Sequence, residues 1–99
     1  MPMEIIIHHV EAYLEGLSKP DATAIALVLD RLEREGHMLR MPFSRPLRQG
    51  LFELRVDRHR IIYFFGRGRA ILTNGFKKKT GQTPGYEIEK ALRVKKLYS

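Results

Sequence analysis

The chain contains no cysteine among its 99 residues, so neither a disulfide framework nor a thiolate metal site can form. The four histidines do not show the spacing of a zinc site; they are His8, His9, His37 and His59. No apolar run approaches the roughly eighteen residues that cross a bilayer, and the N-terminus lacks the segments of a secretory signal. These absences predict a soluble, cytoplasmic protein with no metal and no other cofactor.

Acidic residues are scarce in the C-terminal two thirds of the chain. Residues 1–35 hold three Lys/Arg against seven Asp/Glu, whereas residues 36–99 hold fifteen against four, for a formal net charge of +7. Such a polarised field concentrates polyanions and speeds their arrival, so nucleic acid is the leading class of partner. A solvated cationic surface without a partner is the alternative. A membrane partner is disfavoured because the basic residues do not follow one amphipathic helix.

The first 36 residues indicate two helices. Residues 4–17 place apolar side chains at steps of three and four, although Ile5 and Ile7 suit a strand equally well. Ser18 opens a capping pattern, and Gly36 is a natural stop for the second helix. The predicted apolar stripe of the second helix consists of Ala22, Ile25, Ala26, Leu29 and Leu32. The pair is predicted to form a helical hairpin.

The middle of the chain indicates a small antiparallel β-meander. Residues 39–50 contain two prolines and end in glycine, which predicts a connector. Three runs rich in β-branched and aromatic residues follow, over residues 51–56, 60–65 and 70–76. The register of the third run cannot be derived from the pattern.

The face assignment of the meander depends on its first turn. If residues 57–59 form that turn, Val56 lies opposite Arg60. The core face then carries Phe52, Leu54, Ile62 and Phe64. The reverse, solvent-facing side then carries Glu53, Arg55, Ile61 and Tyr63.

A final helix is predicted over residues 84–97. Thr83 is a suitable N-cap for it, and the residues that it buries are predicted to be Ile88, Ala91 and Leu92. The expected fold is therefore α+β: an N-terminal helical hairpin, a small antiparallel meander and a C-terminal helix, with the helices on one sheet face. The length predicts one domain over residues 1–99.

Cations from separate strands are predicted to converge. Lys77, Lys78 and Lys79 follow the third strand, while Arg55 and Arg60 lie on the first two strands of the same sheet. A concave surface lined by these groups would hold a phosphate backbone and stabilise negative charge at a reacting phosphorus. With no metal ligand set available, side-chain cations would have to supply that stabilisation.

Each of these residues also has a structural interpretation. Arg60 could pair with Glu53 or cap the sheet edge, and for Lys77 alone a solvated role is favoured. Tyr63 could stack on an unpaired base or only pack. His59 could act as a general base, although a turn histidine usually has no such role.

Two stretches, LRQGLFELRVDRHRIIYFF and AILTNGFKKKTGQTPGYEIEKAL, resemble the phage-derived HigB-like branch of the RelE superfamily of bacterial toxins. The resemblance extends to the helical hairpin that ends in LEREGH. It implies a RelE-like fold and a type II toxin, an mRNA endoribonuclease that acts on messages in the ribosomal A site. The implied reaction is metal-free: the 2′-hydroxyl of the substrate attacks the adjacent phosphorus, so RNA and not DNA would be cut.

The resemblance implies roles for individual residues. Arg60 and Arg55 would bind phosphate and stabilise the transition state, and Lys78 and Lys79 would add to this or assist proton transfer. Many members of the superfamily use a C-terminal tyrosine or histidine as acid or base, and this chain has no histidine after His59. Candidate substitutes are Tyr86, Tyr98, Glu53 or a perturbed lysine. The remaining candidate nucleic-acid-binding residues are Lys77, Arg48, Arg58, Tyr63 and Arg93.

The implied partners are mRNA, the ribosome and a cognate antitoxin, expected to be a HigA-like helix-turn-helix protein that alone contacts operator DNA. The absent histidine keeps a second hypothesis open. In that hypothesis the chain is a degenerate toxin, a non-catalytic module that binds nucleic acid or its antitoxin and acts in operator repression.

Overall fold

The computed structural model describes residues 2–79 and 81–99. The elements are β1 (Glu4–Ile6), a 3₁₀ turn (His8–Val10), α1 (Glu11–Glu15), α2 (Lys19–Glu35), a 3₁₀ turn (Gly36–Met38), β2 (Ser44–Pro46), β3 (Phe52–Val56), β4 (His59–Gly66), β5 (Arg69–Lys77) and α3 (Gly85–Lys96). Each helix in these described ranges is too short or too polar to traverse a bilayer.

The strands form one five-stranded sheet in the order β1-β5-β4-β3-β2. The antiparallel meander predicted from the three apolar runs is confirmed as β3, β4 and β5. The ambiguous first residues form a strand, β1, that pairs parallel to β5. The interpretation of residues 39–50 as a connector is wrong over Ser44–Pro46, which pairs with β3. Pro46 is tolerated there because an edge strand has only one neighbour.

The predicted helical hairpin is confirmed only in its second arm. The first helix is limited to Glu11–Glu15, because the isoleucines before it join the sheet. At the start of α2 the Ser18 Oγ accepts from the Asp21 amide at 3.3 Å, and Gly36 ends the helix with a φ of 53°. The buried stripe differs from the predicted one: Val28 is buried, whereas Ala22 and Ala26 are exposed. The other members of the buried stripe are Ile25 and Leu32.

The turn between β3 and β4 is one residue shorter than predicted. Asp57 has a φ of 57°, and the two-residue turn that it begins places Val56 opposite His59. The predicted pairing of Val56 with Arg60 is therefore wrong. Because side chains alternate along a strand, this shift of one residue exchanges the faces of β4 relative to β3. Arg55 consequently lies directly opposite Arg60.

Helices cover both faces of the sheet, so the prediction that they pack on one face is wrong. On the first face α1 and α2 pack over β3, β4 and β5, with a core that includes Val10, Ile25, Leu32, Leu54, Ile61 and Tyr63. On the second face α3 packs over β4 and β5, with a core that includes Leu51, Ile62, Phe64, Ile71, Ile88 and Ala91. The functional residues described below lie beside this second core.

Tyr63 belongs to the first face, not to a solvent-facing surface with Glu53. Only 1% of the residue is exposed, its ring stacks on Phe52, and its hydroxyl lies 2.5 Å from the Ser44 Oγ. A base-stacking role requires an open ring face. The prediction that Tyr63 contacts nucleic acid is therefore wrong for this fold.

Truncation of Leu32 tests the packing of α2. Leu32 is fully buried at 0% exposure, so Leu32→Ala is expected to lower the free energy of unfolding by roughly 2 to 5 kcal/mol in urea titrations. Leu27 lies on the same helix with 66% exposure, and Leu27→Ala should change it by less than about 0.5 kcal/mol. Equal losses in the two variants would contradict the assigned helix orientation.

Alkaline unfolding tests the burial of Tyr63. Burial raises the pKa of the Tyr63 phenol above its ordinary value, so the folded state holds this proton more tightly than the unfolded chain. This contribution to stability is complete below pH of about 10 and is lost as pH rises through the folded-state pKa. Urea titrations at increasing alkaline pH should show a declining free energy of unfolding. The decline should be shallower in Tyr63→Phe, and identical slopes would contradict the burial.

Candidate functional site

A cation-lined pocket lies on the second face of the sheet, beside α3. Arg55 on β3 and Arg60 on β4 are direct cross-strand neighbours. Together with Arg45 from β2 and Lys78 from the end of β5 they line one pocket. Of the cations predicted to converge, Arg55, Arg60 and Lys78 line this pocket, whereas Lys77 and Lys79 do not. We refer to this site as the arginine pocket, and its remaining lining residues are Glu53, Phe76, Gly81, Gln82 and Thr83.

The boundary of the arginine pocket is the core under α3. Phe76 packs against the core of the second face and also lines the pocket. On β4 the apolar residues Ile62 and Phe64 lie under α3, while Arg60, two residues earlier on the same face, lies in the pocket. Because side chains alternate along β4, Arg60 shares a face with Ile62 and Phe64. α3 covers the two apolar residues and leaves Arg60 in the pocket.

A buried carboxylate lies among the cations. Glu53 is only 2% exposed, and its Oε1 lies 3.5 Å from Nη2 of Arg45 and 3.9 Å from Nε of Arg60. The Thr83 hydroxyl donates a hydrogen bond to its Oε2. The prediction that Thr83 caps the last helix is wrong, because Pro84 occupies the cap position without a side-chain hydrogen bond. Thr83 binds the sheet instead.

Arg60 is held in place by the backbone of its own hairpin. Its Nη1 donates to the Asp57 carbonyl at 2.8 Å and to the His59 carbonyl at 2.9 Å, and the residue is 6% exposed. Burial, and then the neighbouring Arg55 guanidinium, lower the pKa of Arg60 from its ordinary value. The fold therefore keeps positive charge where water solvates it poorly. An anion bound there would interact more strongly than on an open surface.

Two guanidinium groups retain donors without partners. Among the described residues, the buried Nε atoms of Arg45 and Arg55 have no hydrogen-bond acceptor. Nη1 of Arg55 lies 3.3 Å from the Met41 sulfur, and a thioether is a weak acceptor. A buried donor left unpaired costs free energy, which an oxyanion ligand would recover. The arrangement therefore suits a phosphate or a similar oxyanion.

A second cleft adjoins the arginine pocket through shared residues. It is lined by Asp57, Arg58, Arg60, Lys78, Lys79 and Gly81. Arg60 and Lys78 thus border both spaces, and Lys79 and Arg58 extend the positive surface away from the pocket. Because Arg60 and Lys78 border both spaces, one phosphate of a chain could occupy the pocket while the next lies in the cleft.

Besides the buried Tyr63, four of the predicted site residues line neither the arginine pocket nor the adjoining cleft. Lys77 lines a groove on the first face, Tyr86 is 67% exposed in the first turn of α3, and Arg93 is exposed on α3. Arg48 lies 3.8 Å from Glu89 of α3, and both of these side chains are exposed. The catalytic role of Tyr86 and the nucleic-acid contacts of the other three residues stay predictions, away from the pocket.

Sequence reasoning missed Arg45 and Thr83. Arg45 lies in the short edge strand that was interpreted as a connector, and nothing local in its proline-flanked context indicates pairing with β3. Thr83 was assigned to a helix cap because the sequence Thr-Pro is typical of one. In both cases the partner is Glu53, which is distant in the chain, so no short-range pattern could have identified them.

His59 is not a turn residue. It begins β4, is 4% exposed, and its ring bonds the Tyr13 hydroxyl at 2.6 Å and the Asp21 carboxylate at 2.9 Å. Because side chains alternate along β4, His59 faces the helices while Arg60 faces the arginine pocket. A proton-transfer role for His59 in the pocket is therefore not supported by its position.

These observations define a basic α+β protein with a cation-lined pocket on one face of a mixed sheet. The chain belongs to the family described as "Phage derived protein Gp49-like (DUF891)", whose model matches residues 12–96. No curated protein matches the sequence.

A solved structure shares the fold. It is the toxin-antitoxin complex RelBE2 from Mycobacterium tuberculosis, with a TM-score of 0.62 and 18% sequence identity over 79% of this chain and 100% of that chain. At this identity the likeness concerns the backbone arrangement alone.

Replacement of Arg60 tests whether it is retained for packing or for charge. Arg60 lies directly opposite the like-charged Arg55, so Arg60→Ala is expected to lower the free energy of unfolding by less than the roughly 2 to 5 kcal/mol of a core truncation. Thermal melting and urea titration measure the effect. If instead the loss matched that of Leu32→Ala, Arg60 would have a structural role through its bonds to Asp57 and His59.

Proposed function

We propose that the chain is the toxin of a type II toxin–antitoxin pair and cleaves mRNA without a metal ion. The observation that carries this proposal is the arginine pocket, where cations from β2, β3, β4 and the end of β5 surround a space suited to one oxyanion. Support also comes from the Gp49-like family and from the shared fold of RelBE2, which is described as a toxin-antitoxin complex.

The proposed reaction is an internal transesterification. The 2′-hydroxyl of one nucleotide gives its proton to solvent water while its oxygen attacks the adjacent phosphorus, forms a new P–O bond and expels the 5′-oxygen of the next nucleotide. The products are a 2′,3′-cyclic phosphate, which water can open, and a free 5′-hydroxyl. Negative charge grows on the non-bridging oxygens in the transition state, where Arg55 and Arg60 would stabilise it. The requirement for a 2′-hydroxyl restricts the substrate to RNA.

Proton transfer is assigned to the lysines. Lys78 borders both the arginine pocket and the adjoining cleft, so its ammonium group can approach the leaving 5′-oxygen and donate a proton to it. Lys79 and Arg58 would hold the neighbouring phosphate. Tyr86 does not line the pocket and has no role in this mechanism.

The proposed biological setting follows the HigB-like resemblance. The substrate would be mRNA on the ribosome, and the inhibitor would be a HigA-like helix-turn-helix antitoxin that contacts operator DNA. The charge polarity of the chain supports a polyanionic substrate, because residues 36–99 carry fifteen of the eighteen Lys/Arg. The acidic N-terminal part would turn the basic face toward RNA on approach.

One observation favours a second candidate, a non-catalytic binding module. The described lining of the arginine pocket contains no histidine and no tyrosine, and both oxygens of its carboxylate already have partners. A site of this kind binds phosphate well and lacks a conventional acid–base pair. In this alternative the chain grips RNA or its antitoxin without cutting.

Cleavage mapping with a substituted substrate separates the two candidates. The purified chain is added to a translating extract with an mRNA, and then with the same mRNA carrying a single 2′-deoxy nucleotide at a mapped cut. We expect cutting to disappear at that position and to persist elsewhere. Lys78→Ala should reduce the cleavage rate by about 10²-fold or more.

The matched control is Lys90→Ala, because Lys90 is exposed on α3 and does not line the arginine pocket. This variant should cut at the wild-type rate. Intact mRNA with the wild-type chain, together with equal and salt-sensitive binding of RNA and DNA, would reject the nuclease and favour the binding module.

A further inference from the structure

The carboxylate of Glu53 requires a physical explanation, because it is the one acidic side chain among the described residues that line the arginine pocket. A negative charge in this position weakens the attraction of the pocket for a phosphate. Glu53 is also 2% exposed, and burial of a carboxylate is unfavourable unless it gains partners. Its three partners are Arg45, Arg60 and Thr83.

These partners leave Glu53 poorly placed to act as a general base. Its Oε1 lies between the guanidinium groups of Arg45 and Arg60, and its Oε2 accepts from the Thr83 hydroxyl. A base must reach the proton that it removes within hydrogen-bond distance. To accept from a 2′-hydroxyl, Oε1 would have to weaken its contacts with Arg45 and Arg60, because Oε2 is bonded to Thr83.

The hydrogen bond to Thr83 instead connects the sheet to the segment that carries Lys78. The described part of this β5–α3 connection is residues 78–79 and 81–84, and it is attached at its start, where the Lys78 amide donates to the Arg58 carbonyl at 2.7 Å. Near its end it is attached by Thr83 to Glu53 of β3. Gly81 and Gln82, which lie between these attachments, line the arginine pocket. The two attachments together determine how this wall of the pocket is placed.

The same hydroxyl orients Arg45. Nη2 of Arg45 lies 3.4 Å from the Thr83 Oγ1 and 3.5 Å from Oε1 of Glu53. The hydroxyl can accept from the guanidinium while it donates to the carboxylate, so the three groups form one chain of hydrogen bonds. Loss of the hydroxyl would therefore release both Arg45 and the wall of the pocket.

We infer that Glu53 and Thr83 form a latch that positions Arg45 and the β5–α3 connection for one phosphodiester, and that Glu53 does not accept the substrate's proton. This inference rests on the proposed nuclease function and deepens it. Glu53 and Thr83 are positioning residues. They act through the cations that contact the phosphate, at the cost of some electrostatic attraction.

Conservative variants distinguish a latch from a base. Thr83→Val removes the hydroxyl at nearly constant shape and should lower kcat about tenfold or more without raising KM, because Arg55 and Arg60 still bind phosphate. Thr83→Ser should restore kcat. Glu53→Gln keeps an acceptor for Thr83 and removes the negative charge, so it should keep at least a tenth of kcat and lower KM.

The pH–rate profile and the double variant give the decisive readouts. With Glu53→Gln the acidic limb of kcat should persist, and Glu53→Gln/Thr83→Val should be no slower than Thr83→Val alone. If Glu53→Gln removed the acidic limb together with nearly all activity, Glu53 would be the base and the latch would be rejected. Wild-type kinetics in Thr83→Val would reject it as well.

A readout that needs no catalysis separates this inference from the proposed function. Amide hydrogen exchange at Lys78, whose amide donates to the Arg58 carbonyl at 2.7 Å at the start of the connection, should accelerate about tenfold or more in Thr83→Val and return toward wild type in Thr83→Ser. Thr23→Val, at an exposed position of α2, is the matched control and should leave this exchange unchanged. A wild-type chain that cuts no RNA but shows the accelerated exchange would reject the nuclease and retain the latch. Unchanged exchange in Thr83→Val would reject the latch, whether or not RNA is cut.

Discussion

The candidate site depends on one pairing, that of Arg55 with Arg60 across β3 and β4. Like charges directly opposite each other in a sheet are unfavourable, so this pair weakens the fold unless another group compensates. Glu53 supplies part of the compensation from the neighbouring position, and carbonyls of the hairpin hold the Arg60 guanidinium. The rest would come from an anionic ligand. An anion that binds between the two arginines would relieve their repulsion. Charged groups perturbed by their neighbours in this way are common at functional sites.

Side chains alternate along β4, so consecutive residues of this strand belong to different polar networks on opposite faces of the sheet. Arg60 faces the arginine pocket, while the preceding residue, His59, joins α1 and α2 to the sheet through Tyr13 and Asp21. Space for this second network depends on Gly75, because a Cβ at that position would lie 2.6 Å from the Tyr13 ring. Each of these two polar networks is therefore confined to one side of the sheet. The close-packed core keeps the start of β4, and with it Arg60, in a defined place.

Two independent lines of reasoning support the proposed function, and they have different force. Family membership and the fold shared with RelBE2 concern the backbone arrangement, and a fold hosts many activities. The arginine pocket is a property of this chain itself, and its unpaired buried donors indicate an oxyanion ligand whatever the biological role. The absence of a histidine or tyrosine from its described lining makes cation-stabilised chemistry the mechanism to test.

The sequence by itself determined the strongly periodic and chemically marked features: the capped second helix, the meander, the last helix and the basic C-terminal part. Local propensity and spacing were sufficient for these because neighbouring residues along the chain decide them. Only the tertiary structure decided the β3–β4 register, the burial of Tyr63, the inclusion of Arg45 and the contact of Thr83 with Glu53. A turn that is one residue shorter moves every side chain of the following strand to the opposite face of the sheet. A hydrogen bond between residues thirty positions apart cannot be recognised from the residues around either one.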